Sequence, residues 1–191
     1  MTGLAGAAGY LFEAGMLKRA RRSGWWIAGV RDPESIAEHS WRAAVTGMVI
    51  ASLEGADPAR TAMLCVLHDT PETRVGDIPK IGRDYLTAAD AQDVVADQTG
   101  ECPDRMAETV RDAIAEFEAG ETPEAICAKD ADKLECLIQA VEYRHQGVST
   151  VGRWIDSSLA ALKTDTAQGL AREILEREPL AWELTRHQAE D

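Results

Sequence analysis

The chain has 191 residues, 45% of them hydrophobic and 28% charged, which is typical of a globular domain and excludes a disordered segment. The 20 Lys and Arg residues are outnumbered by 33 Asp and Glu, and the net charge of −13 argues against binding to nucleic acids, whose phosphates attract clustered cations. No apolar run approaches the roughly 20 residues that cross a bilayer, so we expect no membrane partner.

Apolar residues recur with a period near 3.6 along most of the chain, and alternating strand patterns are nearly absent. This periodicity predicts an all-α fold in a single domain, because no repeat or linker divides the chain. Gly, Pro and capping residues mark the helix ends, as at Asp57-Pro58. In chain order, helices are predicted at about residues 3–22, 32–53, 58–70, 84–98, 103–119, 123–146, 150–163 and 166–185.

The cysteines and the N-terminal segment predict a cytoplasmic protein. Basic residues follow the first apolar stretch, which is the reverse of their order in a secretory signal. The four cysteines form no CxxC pair, and three of them lie in apolar helical stretches. We therefore expect free thiols in a reducing compartment.

Chemically active side chains occur in or beside four apolar helical segments. They are His39, His68-Asp69, Glu72 with Asp77, and Asp130 with Asp132. Two imidazoles and two carboxylates suit a borderline divalent ion such as Mn²⁺, Fe²⁺, Co²⁺, Ni²⁺ or Zn²⁺. Such an ion can acidify a water molecule and neutralise an oxyanion such as phosphate. Because the candidate ligands come from separate helices, the pattern indicates an interhelical metal site.

The predicted helix at 123–146 offers two candidate aspartates. Its apolar stripe consists of Leu134, Leu137, Ile138 and Val141. Asp130 falls on this stripe, whereas Asp132 lies almost opposite, among small residues that tolerate burial. Periodicity alone favours Asp130, and a central helix that is buried on both sides would admit Asp132.

The ordered series resembles the HD-domain metal-dependent phosphohydrolase superfamily. In finer detail it resembles the 5′-deoxynucleotidase branch, which removes phosphate from deoxyribonucleoside 5′-monophosphates. The matching stretches are Leu17-Lys18-Arg19 to Arg22-Ser23-Gly24-Trp25, Pro33-Glu34-Ser35-Ile36-Ala37-Glu38-His39-Ser40, Leu67-His68-Asp69 with Glu72 and Gly76-Asp77-Ile78, and Ala131-Asp132-Lys133-Leu134-Glu135. The resemblance implies an all-helical bundle with its core at about 17–146 and C-terminal helices at about 150–185 that pack on the core or form a dimer interface.

The resemblance also implies roles for these residues. The divalent ion (Mn, Co, Fe, Ni, Zn or Mg) would be held by four ligands, namely His39, His68, Asp69 and Asp132. Glu72 and Asp77 would lie beside it as catalytic groups or ligands of a second metal, together with the backbone carbonyl of Ile78. The resemblance selects Asp132, on a central helix that is buried on both sides, and leaves Asp130 as a capping or supporting acid.

A basic run precedes the first matched tryptophan and provides candidate phosphate contacts. Arg22, or Arg19, would contact the 5′-phosphate, with Lys18 nearby, while Trp25 shapes the nucleotide pocket. In part of the family an arginine immediately precedes this tryptophan, whereas here the position is Gly24. The remaining tryptophans are interpreted as core or interface residues: Trp26, Trp41, Trp154 and Trp182.

The predicted function is metal-dependent hydrolysis of nucleoside 5′-monophosphates, with a nucleotide as substrate and a homodimer as the expected assembly. One alternative is the same scaffold acting on nucleoside triphosphates or on a modified nucleotide in specialised biosynthesis. Another is a non-catalytic nucleotide-binding protein. Oxygenase chemistry is a third alternative, but it needs further ligands for a second iron that the sequence does not place.

Overall fold

A computed structural model describes residues 3–87 and 89–183, and these form a helical bundle. The α-helices within these ranges are α1 Leu4–Ala14, α2 Gly24–Ile27, α3 Ile36–Glu54, α4 Pro58–Leu67, α5 Glu72–Val75, α6 Ala91–Gln98, α7 Asp104–Ala119, α8 Pro123–His145, α9 Gly152–Ala161 and α10 Asp165–Glu176. Short 3₁₀ helices occur at Gly15–Lys18, Lys80–Asp84 and Ser149–Val151. The described residues contain no strand, only an isolated bridge between Arg21 and Ser35, so the predicted all-α fold is confirmed.

Helix starts follow local capping chemistry. Ser35 and Glu38 form a reciprocal capping box at the start of α3. Asp57 accepts the backbone N–H groups of Ala59 and Arg60 at the start of α4, as its position before Pro58 predicts. These starts matter for function because α3 and α4 carry the candidate histidines.

The predicted C-terminal end of the first helix is wrong. It was expected to continue to about residue 22, but α1 stops at Ala14 and a 3₁₀ turn follows. The next residues run beside the start of α3: Arg22 N–H donates to the Glu34 carbonyl at 3.1 Å, and Ile36 N–H donates to the Ala20 carbonyl at 2.9 Å. Pairing with the segment before α3 therefore replaces the helical hydrogen bonds of this stretch.

The core is organised around α8, which is buried on several faces and packs against α3, α4, α7, α9 and α10. Gly47 allows α3 and α4 to approach closely, because a Cβ there would lie 2.8 Å from Cys65 Sγ. A second cluster of buried side chains joins α1, α6 and α7. The bundle thus holds α3, the end of α4 and α8 in direct contact.

The C-terminal helices α9 and α10 pack on α8 through buried side chains that include Ile155 and Ala167. The last predicted helix was expected to reach about residue 185, but α10 ends at Glu176, and residues 184–191 lie outside the described ranges. None of the described helices combines the length and apolar character needed to cross a membrane.

Candidate metal centre and nucleotide pocket

Four of the predicted site residues converge between α3, the end of α4 and α8. Nε2 of His39 lies 3.2 Å from Asp132 Oδ1 and 3.7 Å from Asp69 Oδ2. Nε2 of His68 lies 3.2 Å from Asp69 Oδ1 and 4.0 Å from Asp132 Oδ1. His39 lies on α3, His68 caps the end of α4, and Asp132 lies on α8. The structure therefore brings together all four side chains for which a ligand role is expected.

Both histidines present an unpaired nitrogen to this centre. The Nε2 atoms of His39 and His68 are buried and have no hydrogen-bond partner, although carboxylates lie at ion-pair distance. Their Nδ1 atoms are occupied: that of His39 by Glu135, and that of His68 by the Cys65 carbonyl at 2.7 Å. Burial and Arg22 oppose charge on His39, but the carboxylates of Glu135 and Asp132 raise its pKa to about 10. With each Nδ1–H donating, a divalent cation would bind both Nε2 atoms in place of that proton, beside the two aspartates.

The two aspartates remain anionic. Burial alone would raise the pKa of Asp69, but the adjacent His68 holds it below its usual range. Burial likewise opposes charge on Asp132, whereas His39 and Lys133 outweigh this effect and lower the pKa of that carboxyl. Deprotonated carboxylates and neutral imidazole nitrogens are the forms that bind metal ions.

Arg22 reaches the same centre. Its Nη1 donates to Asp69 Oδ2 at 3.2 Å, and its side chain is mostly buried. Burial opposes its charge, but the carboxylates of Asp69 and Asp132 raise the pKa of Arg22 well above its ordinary value. A permanent cation therefore lies at the edge of the four converging side chains.

The other two candidate phosphate contacts of the basic segment lie away from this centre. Lys18 and Arg19 are exposed; Lys18 lines a separate groove, and Arg19 contacts Met16. Neither lines the pocket beside the candidate ligands, because the 3₁₀ turn at Gly15–Lys18 precedes the segment that runs along α3. Trp25 is only 2% exposed and donates from Nε1 to Glu34 Oε1 at 2.9 Å, so it contributes to both the core and the pocket wall.

Glu72 and Asp77 lie on the pocket wall in different environments. Oε2 of Glu72 is buried without a hydrogen-bond partner, and burial together with the carboxylate of Asp69 raises the pKa of Glu72. Asp77 Oδ2 accepts the Ser23 backbone N–H at 2.5 Å, which ties it to the segment that carries Arg22. Ile78 also lines the pocket.

A pocket of about 540 Å³ opens beside this centre. Sequence reasoning missed several of its residues: Lys80, Arg83, Lys133, Cys136 and Trp154. The prediction for Trp154 was incomplete, because its ring stacks on Trp25 at 5.6 Å and also lines the pocket. The sequence around Trp154 does not indicate this role, because only the packing of α9 on α8 brings its side chain to the pocket.

Two acidic residues of α8, Glu135 and Asp130, contact different parts of the structure. Glu135 is fully buried and accepts from His39 Nδ1, a contact that the motif spacing did not reveal. Asp130, the choice of periodicity alone, does not approach the histidines. It instead accepts hydrogen bonds from Lys163 and Thr164 before α10, as the expected capping acid.

Comparison with known proteins identifies the family. Residues 14–174 match the HD domain family. The 5′-deoxynucleotidase HDDC2 of Danio rerio is 32% identical over 68% of this chain and 65% of that protein, and its counterpart in Dictyostelium discoideum is 30% identical over 69% and 74%. A conserved hypothetical protein from Pyrococcus furiosus has a similar fold, with a TM-score of 0.70 and 28% identity over 88% of this chain and 98% of that one.

The matched region thus spans about two thirds of the length of the Danio rerio relative. The family match covers most of this chain, and it includes all of the residues that converge at the centre. HD-domain phosphohydrolases use a divalent metal, in agreement with the cluster of His and Asp side chains. The chain belongs to the HD domain family and, within it, to the 5′-deoxynucleotidase branch.

Proposed function

We propose that this chain is a metal-dependent phosphomonoesterase that hydrolyses deoxyribonucleoside 5′-monophosphates to nucleoside and phosphate. The observation that carries the proposal is the pair of buried, unpaired Nε2 atoms of His39 and His68, which face Asp69 and Asp132. The names of the 5′-deoxynucleotidase relatives support the same reaction class. The four facing side chains would hold one divalent ion.

The ion, when bound, would lower the pKa of water and neutralise charge on the phosphate. Its two imidazole ligands favour Mn²⁺, Fe²⁺, Co²⁺, Ni²⁺ or Zn²⁺ over Mg²⁺, which prefers oxygen donors. Glu135 and the Cys65 carbonyl hold the two histidine rings in orientation through Nδ1.

Arg22 would bind the phosphate. It is a buried cation beside Asp69, and its guanidinium can donate two parallel hydrogen bonds to phosphate oxygens. Asp77 supports this placement, because it holds the backbone N–H of Ser23, the residue after Arg22. Arg22 would also stabilise the charge that develops on phosphorus-bound oxygens in the transition state.

Glu72 would manage the proton. Its carboxyl group is buried at the pocket wall with a raised pKa, so it can hold a proton near neutral pH and transfer it to the leaving 5′-oxygen. Its unpaired Oε2 leaves this atom available for the substrate. In the alternative role, Glu72, Asp77 and the Ile78 carbonyl would hold a second metal.

The aromatic wall would contact the nucleoside. Trp154 and Trp25 line the same pocket as Arg22, and the half-buried Trp154 would contact the base. Trp25 stacks on the Trp154 ring, and the Arg153 guanidinium lies over that ring at 4.1 Å from its centroid. The pocket walls also include Lys80 and Arg83, exposed cations that favour an anionic substrate.

We also propose that the protein is a cytoplasmic homodimer. All four cysteines are free, which suits a reducing compartment. Trp41, Val45 and Met48 form an exposed apolar stripe along α3, and a second copy of the chain would cover it. Light scattering coupled to size exclusion will report the mass in solution.

A nucleotide panel with added Mn²⁺ or Co²⁺ tests the activity. We expect phosphate release from deoxyribonucleoside 5′-monophosphates, with none from the 3′-monophosphates. The His68→Ala variant should be inactive with either metal. Release of pyrophosphate or triphosphate from nucleoside triphosphates would instead assign the scaffold to those substrates. Nucleotide binding without hydrolysis would identify a non-catalytic binding protein and overturn the proposal.

A further inference from the structure

A hydrogen-bonded chain leads from His39 to an arginine outside the pocket. His39 Nδ1 contacts Glu135 Oε2, and the other carboxylate oxygen of Glu135 accepts from Arg42. Arg42 donates to that oxygen twice, from Nε at 3.0 Å and from Nη2 at 2.9 Å. Glu135 is fully buried, and the ion pair with Arg42 on its outer oxygen compensates its charge together with the contact to His39.

The guanidinium of Arg42 is itself held in place. Its Nη1 lies 2.8 Å from both carboxylate oxygens of Glu142, and its Nη2 donates to Gln139 Oε1 at 2.7 Å. Glu135, Gln139 and Glu142 follow one another along one face of α8, whereas Arg42 and His39 lie one turn apart on α3. The network therefore fixes the guanidinium, and through it the carboxylate that contacts His39.

We propose that Arg42 is a positioning residue for the metal centre and acts through Glu135. With Arg42 in place, Glu135 presents one oxygen to the Nδ1–H of His39, and the Nε2 lone pair points to Asp69 and Asp132. Without Arg42, the buried Glu135 loses one of its two charge partners and its fixed orientation, and the imidazole ring loses its alignment. This inference rests on the proposed role of His39 as a metal ligand.

The alternative role for Arg42 is a purely structural ion pair that joins α3 to α8. Another arginine of the chain provides a matched control for this alternative. Arg60 on α4 donates from Nε and Nη2 to Glu116 Oε2 on α7, at 2.9 and 2.5 Å. It is an arginine of similar exposure that joins two helices without contacting a candidate ligand. Arg60→Ala therefore shows how the loss of an interhelical ion pair by itself affects the protein.

The experiment measures Co²⁺ binding to the purified full chain by calorimetry and by the visible absorption spectrum of the bound ion. Arg42→Ala should weaken Co²⁺ binding by about 10- to 100-fold, the usual effect of removing a group that supports a metal-binding histidine. The Co²⁺ spectrum should change as well. Arg42→Lys should recover part of the affinity, because lysine keeps the charge but not the two-pronged contact. Arg60→Ala should keep the wild-type affinity and spectrum.

A double-mutant cycle with Glu135→Gln adds a second criterion. If Arg42 acts through Glu135, the two losses of affinity should be far from additive. Wild-type affinity and spectrum in Arg42→Ala, or in Arg42→Lys if the alanine variant does not fold, would overturn the inference and leave the metal centre intact. Failure of the wild-type chain itself to bind Co²⁺ would overturn the metal centre and this inference together.

Discussion

Asp130 and Asp132 stand two residues apart on α8 and direct their carboxylates to different parts of the molecule. Asp132 Oδ1 lies 3.2 Å from His39 Nε2, on the α3 side of the helix. Asp130 Oδ2 lies 2.7 Å from the backbone nitrogen of Thr164, at the start of α10. One helix therefore uses neighbouring acids for the candidate metal centre and for anchoring the C-terminal helices.

Replacing each of these aspartates separately should divide the two roles. Asp132→Ala should abolish metal binding and hydrolysis, because it removes an anionic ligand. Asp130→Ala should lower the free energy of unfolding by about 1–3 kcal/mol, since it leaves the partly buried donors of Thr164 without their acceptor. Urea unfolding and Co²⁺ titration measure the two effects. Equal loss of metal by both variants would contradict this division.

Arg22 and Arg19 form a second matched pair. Arg22→Ala should reduce kcat/KM by about 100-fold, because it removes a buried donor to the phosphate. Arg19→Ala should leave kcat/KM near the wild-type value, since its side chain is exposed and contacts Met16. Steady-state kinetics with a deoxyribonucleoside monophosphate measure both. A larger loss of kcat/KM in the Arg19 variant would show that Arg19, and not Arg22, binds the phosphate.

Glu72→Gln should separate proton transfer from metal binding. The amide keeps the size of the side chain but cannot transfer a proton, so kcat should fall by about 100- to 10,000-fold. Metal stoichiometry, measured by elemental analysis, should stay unchanged. If the variant instead binds one ion fewer than the wild type, Glu72 is a ligand of a second metal and not the proton donor.

Trp154→Ala should raise KM for nucleotides by at least about five-fold, because it removes an aromatic side chain from the pocket wall, and an aromatic contact to a base contributes about 1–3 kcal/mol. Trp154→Phe should retain most of the affinity. Trp26 is the control: it is 54% exposed and does not line the pocket, so Trp26→Ala should leave KM unchanged. Thermal unfolding of each variant will distinguish a lost contact from a damaged core. Unchanged KM in a folded Trp154→Ala variant would place the base elsewhere.

Glu13 should make stability sensitive to acid. Hydrogen bonds from Arg74, and then from Gln98 and Thr73, lower the pKa of Glu13 from 4.5 to about 2. Its stabilising contribution is therefore complete above about pH 4.5 and is lost as the pH falls towards 2. Glu13→Gln should flatten the decline of the unfolding midpoint over this interval. Glu173→Gln, at an exposed pair with Arg177, should follow the wild-type curve.

Local chemistry accounts for the parts of the fold that were predicted correctly. Asp57 caps α4 at the predicted start, through hydrogen bonds to residues within one turn. The helix predicted from about residue 32 starts only at Ile36, where Ser35 and Glu38 form the capping box. The first helix was predicted too long because the segment that ends at Arg22 pairs with residues before α3, and this pairing leaves no periodic mark in the sequence. Local propensity is a weak guide wherever such tertiary pairing competes.

The sequence by itself determined the helical class and helix starts such as that of α4, because capping and periodicity act over one or two turns. Its resemblance to the HD-domain superfamily supplied the ordered set of His39, His68, Asp69 and Asp132. Only the tertiary structure decided that Arg22 reaches the centre while Arg19 does not, that Trp154 forms a pocket wall, and that Glu135 supports His39. These contacts depend on how helices distant in the chain are rotated against one another, and that rotation is set by the packing of the whole core.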